Sequence, residues 1–396
     1  MRKLIIPLAL SLAVLGLGGR VPTLVERTGV SSGVNLSLPP GYVVISPLSR
    51  LLDALTLLST AQSIALIVTV VILVVGWKAV RKTSWKWLAL SLTVTLAIAG
   101  MLEAAAAFLP RPMAALKVSD PDLVRVDFHS HTGASHDVRK SFSAEDNREW
   151  HRAGGFDIAY ITDHVKFSAV ESAMSRNPLR AGEGVSVVSG MEGRYHRIMS
   201  TIVLGITAAD SQLLDRRGNI LPGELKSPRA PVSIIAIPNR NLDSLTRQVL
   251  DSVTALPNLA GIELIDAAPR GLAQLDRDEE RIRQIAAHLN LALVAGSNNH
   301  GYGRTVAGWN IVHVPGWRSM PPDSVASRIE NKLRADRSVR IIHRTRPSLH
   351  GIEVAAVLPV VVYQMVGGLT VLESISWVFW IWLVAGLTAM RRSAHR

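Results

Sequence analysis

The sequence predicts an α/β fold, closed or distorted into a barrel, held between apolar helices at both ends of the chain. Three observations lead there. From about Arg111 to His350, short β-branched runs alternate with charged segments of helical period, as in sheets whose mainly parallel strands are joined by helices. The candidate strands, at 123–128, 157–162, 186–190, 201–205, 232–237, 261–265, 291–295 and 309–314, are more than a small open sheet takes and suit a barrel. Outside that stretch lie apolar runs, nearly free of charge, long enough to cross about 30 Å of hydrocarbon.

Composition agrees. The 396 residues are 48% hydrophobic and only 19% charged, and the apolar excess is concentrated at the two ends. Cysteine is absent, which excludes disulfides, thiolate metal sites and cysteine nucleophiles. The formal charge of +12 would suit nucleic acid, yet no binding motif with interleaved aromatics occurs. Lys and Arg beside membrane spans give the same balance. The lipid bilayer, not nucleic acid, is therefore the expected partner.

Taken in order, Arg2 and Lys3 precede an apolar run from Leu4 to Gly19 without a clear Ala-x-Ala cleavage pattern. Residues 1–20 read as a retained signal-anchor or first transmembrane helix. Residues 21–53 mix Gly, Ser and Pro and read as a loop. A transmembrane helix is expected at 54–77, with Trp77 at its edge, and another at 87–109, interrupted only by Glu103. Glu103 lies near the end of that span, where it reaches the interface or a neighbouring helix. Between the two stands a basic turn of Lys78, Arg81, Lys82 and Lys86. The α/β domain occupies 112–348. The apolar tail, divided by Gly367-Gly368 and Glu373, reads as spans at 354–370 and 374–390, the alternative being one span preceded by an interfacial helix.

The basic turn belongs in the cytoplasm, which puts the domain of this multi-pass membrane protein on the extracytoplasmic side. Arg391, Arg392 and Arg396 pull the other way if two spans follow the domain.

The chemistry gathers at strand ends. In Val126-Asp127-Phe128-His129-Ser130-His131-Thr132, His129 and His131 are two apart on a strand and can present two nitrogens to one point. A second strand ends in Thr162-Asp163-His164. Imidazoles with carboxylates at the ends of neighbouring strands are a metal-binding pattern.

These residues carry a resemblance. Asp127-Phe128-His129-Ser130-His131-Thr132 with Ser135-His136-Asp137 resembles the opening of the PHP domain (polymerase and histidinol phosphatase family). Gly155 to His164 is similar to its second motif, Gly190-Met191-Glu192 to its third, and Gly296-Ser297-Asn298-Asn299-His300-Gly301 to its late Gly-Ser-Asp-x-His motif. The likeness spans about 120–315, with the four motifs in family order. It implies a distorted (β/α)7 barrel holding up to three divalent ions at the strand C-termini. It also implies hydrolysis of a phosphate mono- or diester by metal-activated water. His129, His131 and Glu192 would form one metal position; His164 and His300, with Asp137 or His136, would form another. Asp163 is either a ligand, a base or a carboxylate that orients a histidine. Arg194, His196, Arg240 and Arg304 follow strand ends and could hold a phosphate, Arg304 being the one expected to act in catalysis beside Asp163 and His164.

Two departures touch the metals. Ile237 stands where the family has a histidine before a proline, and Asn298 where it has an aspartate. Isoleucine ligates nothing, whereas the amide oxygen of Asn298 can bind a metal but brings no charge, so Asn298 stays among the expected metal ligands with lowered affinity. One or two ions (Mn, Zn, Fe or Mg) are expected rather than three. Glu263 occupies a strand position where the family often has a ligand or nearby acid. The expected function is a membrane-anchored, metal-dependent phosphoesterase acting on a phosphorylated small molecule or an envelope- or membrane-associated substrate. The alternative is a catalytically degenerate domain that binds a ligand or partner at the membrane.

Overall fold

The computed structural model describes residues 2–27, 33–164, 166–195, 199–213, 231–236 and 258–394. The chain begins with α1 (Arg2–Leu17), β1 (Leu24–Glu26), β2 (Val34–Ser37), α2 (Pro40–Val44), α3 (Ser46–Thr56), α4 (Thr60–Val80) and α5 (Trp85–Phe108). Next come β3 (Ala115–Val118), β4 (Leu123–Ser130), α6 (Ala144–Gly154), β5 (Ile158–Ile161), α7 (Ser168–Met174), β6 (Ser186–Tyr195), β7 (Met199–Leu204) and β8 (Val232–Ile235). The rest of the domain is β9 (Leu259–Asp266), α8 (Pro269–His288), β10 (Ala292–Gly296), β11 (Gly308–His313), α9 (Pro322–Ala335) and β12 (Arg340–Arg344). It closes with α10 (Val357–Gly367) and α11 (Val371–Ala394).

The α/β class holds. Ten strands make one curled sheet in the order β1-β12-β11-β4-β5-β6-β7-β8-β9-β10, while β2 pairs with β3 alone. The runs β4-β5-β6 and β8-β9-β10 are parallel. The expectation of mainly parallel strands needs correction, because β6-β7-β8 and both neighbours of β11 pair antiparallel. The physical reason lies in the β6–β7 link, from Tyr195 to Met199, far shorter than the dozen or more residues of a parallel crossover.

The curl brings the two parallel runs together. Past the end of β10, Asn298 N donates to His129 O (2.8 Å) and His131 N donates to Asn299 O (3.1 Å), so the last strand's extension pairs with the end of β4. Strand alternation then sorts the side chains. Val124, Val126 and Phe128 face a core shared with Val325, Ile329 and Leu333 of α9, which leaves Asp127 and His129 on the opposite face.

Helix α6 fixes that strand end. Ser143 and Asp146 form a capping box at its start, and Gly155 ends it at φ +79°, where a Cβ would meet Leu116 O at 2.7 Å. Its buried residues reach β4: Asn147 Nδ2 donates to His131 O (2.9 Å), and His151 Nε2 lies 2.7 Å from Asp127 Oδ2.

Among the described residues, three helices are long and apolar enough to cross a membrane: α4, α5 and 371–391 of α11. The span expected at 54–77 starts later, because 46–56 forms the amphipathic α3 and a Ser59–Gln62 capping box opens α4. The span expected at 354–370 is corrected too. Residues 351–356 are a 3-10 turn that runs straight into α10, and the apolar helical stretch 351–367 is shorter than the three long helices. At the other terminus, α1 has 16 residues and falls short of the three long helices.

The helices join the domain through buried polar bonds. Gln62 Nε2 donates to Asp276 Oδ2 (2.9 Å) and Leu349 O (3.0 Å), and Gly303 N donates to Ala107 O (2.8 Å). Both contacts lie at the domain end of the α4–α5 hairpin, so Arg81 and Lys82 turn at its far end. Arg50 of α3 grips Glu373 at the start of α11 (2.6 and 2.7 Å), so that helix too leaves from the domain end. Gly18 lies beside Ser374, and Val14 packs with Trp377, Val378 and Ile381, which runs α1 back alongside α11.

Candidate metal centre

Where β4, β5, β6, β9 and β10 end, five histidines and four acids converge. Glu192 is the hub. Its Oε2 lies 3.2 Å from both His129 Nε2 and His131 Nε2 and 3.5 Å from His164 Nε2, while Oε1 accepts from Ser200 Oγ on β7. The two Nε2 atoms of His129 and His131 stand 2.9 Å apart. Donors held about 2.0–2.2 Å from one ion stand roughly 3–3.5 Å from each other, and these three atoms have that spacing. A second group is His136, Asp137 and His164. Asp137 Oδ2 is 3.4 Å from His164 Nε2 and 3.7 Å from His300 Nε2. His136 and Asp137 therefore both reach His164.

The other side of His129 is occupied by protein. Its Nδ1 lies 2.8 Å from Glu263 Oε1, the arrangement in which a carboxylate fixes the tautomer and aims Nε2 at a metal. Gly296 makes room for this pair: a Cβ there would press into Glu263 Oε1 and come within 2.8 Å of His129 Cβ. Asp266, at the end of β9, joins Glu263 and His129 in a third cluster. Asn298 donates Nδ2 to Asp266 Oδ2 (2.9 Å), leaving its own Oδ1 buried without a partner. His300 Nε2 is likewise buried with no hydrogen bond.

Charge in the cluster is poised for a cation. Burial lowers the affinity of His129 for a proton, but Glu263 and Glu192 outweigh it and hold the imidazole well above its ordinary range. His131 goes down, through burial and the neighbouring His129. Burial pushes Glu192 up, but hydrogen bonds from His129 and His131 bring it well below the usual carboxylate range. Burial beside Glu263 pushes Asp266 up to about 7. Burial and His131 push His300 down to about 4. His131 and His300 favour the neutral form, and a cation would take the place of the proton on His129. Acids and buried polar atoms lacking hydrogen bonds surround them, a donor set that fits divalent ions.

Not every expected residue arrives. Asp163 is engaged by Thr132, whose N (2.7 Å) and Oγ1 (2.6 Å) donate to its two oxygens, and its Oδ1 lies 3.9 Å from His131 Nδ1, so it sits behind a candidate ligand, as the orienting alternative expects. Arg304 is a correction: its Nε donates to Arg111 O at 3.3 Å, and its charged neighbours are Arg111 and Glu149, not the histidines. It follows Gly303, which bonds to α5, and the chain is drawn toward the helices there. Arg194 is exposed on β6. Ile237, His196 and Arg240 lie outside the described residues. Asp266 was not anticipated, although an acid closing the β-branched run Ile262-Glu263-Leu264-Ile265 is the same sign that marked Glu192.

No family model matches the chain, and no curated protein matches it. Solved structures do. PsfC from Pseudomonas syringae is 14% identical, the match covering 61% of this chain and 98% of that one at a TM-score of 0.36. A protein from Bifidobacterium adolescentis, described as a metal-dependent phosphoesterase, is 17% identical over 53% and 96% of the two chains, with a TM-score of 0.33. The lesion-specific endonuclease Q of Pyrococcus furiosus is 15% identical over 53% and 56%, with a TM-score of 0.39. At TM-scores this low the likenesses decide nothing about this chain's chemistry.

Proposed function

We propose that the chain is a membrane-anchored, metal-dependent phosphoesterase of the PHP type, with its site on the extracytoplasmic side. One observation carries the hydrolase reading: three imidazole Nε2 atoms lie within 3.5 Å of a single oxygen of Glu192. His129, His131 and Glu192 would hold one ion, and His164 with Asp137 or His136, faced by His300, a second. Divalent ions bound there would polarise a phosphoryl oxygen and acidify the attacking water. Glu263 keeps Nε2 of His129 free for binding, and Ser200 orients Glu192. The Glu263–His129 contact has hydrogen-bond length, which supports two ions over a third at Asp266. The charge missing at Asn298 would be supplied by Asp266 beside it once a bound cation favours its ionised form.

The placement of charge supports the membrane reading. Arg2 and Lys3 open α1, Lys78, Arg81, Lys82 and Lys86 flank the α4–α5 turn, and Arg391 and Arg392 end α11, all away from the domain. With a single long helix after the domain, the terminal arginines and the basic turn fall on the same side, and the conflict raised by two closing spans disappears. By the positive-inside rule that side is cytoplasmic.

The test uses the full chain in detergent: metal content by elemental analysis, beside hydrolysis of p-nitrophenyl phosphate and bis(p-nitrophenyl) phosphate. His129→Ala and Glu192→Ala are expected to lose both metal and turnover. Unchanged turnover in either overturns the reading. A wild-type chain that neither keeps metal nor regains activity on reconstitution favours the degenerate, ligand-binding alternative.

A further inference from the structure

A cavity of about 250 Å³ lies between the metal centre and the α4–α5 hairpin. At one end Asn298 and His300 line it. At the other stand Leu55, Leu58, Ala106 and, deeper along α5, Glu103. Glu103 precedes the end of α5 by five residues, so the cavity extends roughly 7–8 Å down the helix. Its wall is fixed in place, since Gly303 N bonds to Ala107 O and the rings of Tyr302 and Phe108 meet edge to face at 5.6 Å. Beyond it, no residue in the apolar stretch of either helix is fully buried, and Ile64, Val68, Ile72, Leu90, Val94 and Ile98 stand exposed.

A site for a soluble ester has no use for a passage ending on two lipid-facing helices. We infer that the substrate is a lipid phosphate ester. The phosphate and glycerol would occupy the cavity, and the acyl chains, too large for it, would stay in the leaflet against α4 and α5. This rests on the hydrolase reading and on the membrane placement above. The reaction balances without a redox partner: water oxygen bonds to phosphorus, one P–O ester bond breaks, and the water's proton ends on the departing alcohol oxygen.

Matched substrate pairs test it with the metal-loaded full chain in mixed micelles. Dioleoyl phosphatidate is compared with glycerol 3-phosphate, and dioleoyl phosphatidylglycerol with its deacylated form. At least one lipid is expected to exceed its acyl-free counterpart in kcat/KM by about 100-fold, because acyl chains held in the same micelle as α4 and α5 raise the effective concentration of the headgroup at the cavity. Ser63→Phe and Ala107→Phe, both at half-buried lining positions, are each expected to lower that ratio about tenfold or more. Equal kcat/KM within both pairs, or equal loss on lipid and soluble esters in both variants, overturns the inference and leaves the hydrolase intact. No turnover of any of these esters or of p-nitrophenyl phosphate by metal-loaded protein overturns both.

Discussion

Two buried clusters of ionisable side chains in this molecule are built in opposite ways. Around Asp53 of α3, one carboxylate takes four donors: Arg111 Nη1 (2.6 Å) and Thr305 Oγ1 (2.7 Å) on Oδ1, Tyr42 Oη (2.7 Å) and Arg344 Nη1 on Oδ2. Every lone pair of the acid has a partner from the protein. Around Glu192, nitrogen faces nitrogen at 2.9 Å, acids crowd one another, and Asn298 Oδ1 and His300 Nε2 make no hydrogen bond. In the first cluster the carboxylate is saturated by the protein, although Arg111 Nε makes no hydrogen bond, and the cluster ties α3 to β12 and to the segment leading into the domain. The second has the donors that a cation would satisfy. Buried polarity alone does not mark a functional site; imidazoles and acids turned on one another, with unbonded atoms among them, are the stronger sign.

The comparison is tested most severely at Asp53. Asp53→Ala strands two buried guanidinium groups and is expected to cost about 3–5 kcal/mol, read as a large fall in thermal stability in detergent. Its pH dependence follows from the same contacts. Burial raises the Asp53 carboxyl, but Arg344 and Arg111 outweigh this and hold it at about 2 against an ordinary 3.8. The unfolded chain therefore takes up the proton first. Stability from Asp53 is full above about pH 4 and disappears as the pH falls through about 2; Asp53→Asn is expected to lack that limb of the curve.

Next in size is the response to metal. A saturating divalent ion, at about 100 times its dissociation constant, is expected to stabilise the folded chain by about 2.7 kcal/mol. The gain should persist in Asp53→Asn and vanish in Glu192→Ala. Equal gains in all three would mean that the ion binds elsewhere. The smallest effect concerns aim rather than ligation. Glu263→Gln keeps the volume but weakens the hold on His129 Nδ1, and is expected to reduce metal affinity roughly 10–100-fold while leaving metal-free stability nearly unchanged. Titration calorimetry reads the first quantity and thermal melting the second.

Much of the site was legible because each motif is local. His129 and His131 share a strand face by alternation, Glu192 and His164 close apolar runs, and the four segments come in one order. Arg304 was misread for the same reason: following a strand end says where a backbone goes, not where a guanidinium turns. Glu263 was visible as an acid inside a strand, but its role on His129 Nδ1 needed the curl that carries β9 across to β4. The spans show a similar division. Hydropathy located α4 and α5 to within a few residues, yet could not divide the tail, because Gly367-Gly368 suits either a loop between spans or the end of a short helix.

By itself the sequence determined the α/β class, the apolar helices and the residue types of the centre, since each depends on periodicity or on neighbours within a few positions. Only the tertiary structure decided that the hydrophobic tail holds one long helix, that Asp163 is held by Thr132, and that a cavity joins Asn298 and His300 to the α4–α5 pair. Those outcomes depend on which distant surfaces close on one another, and no stretch of sequence carries that geometry alone.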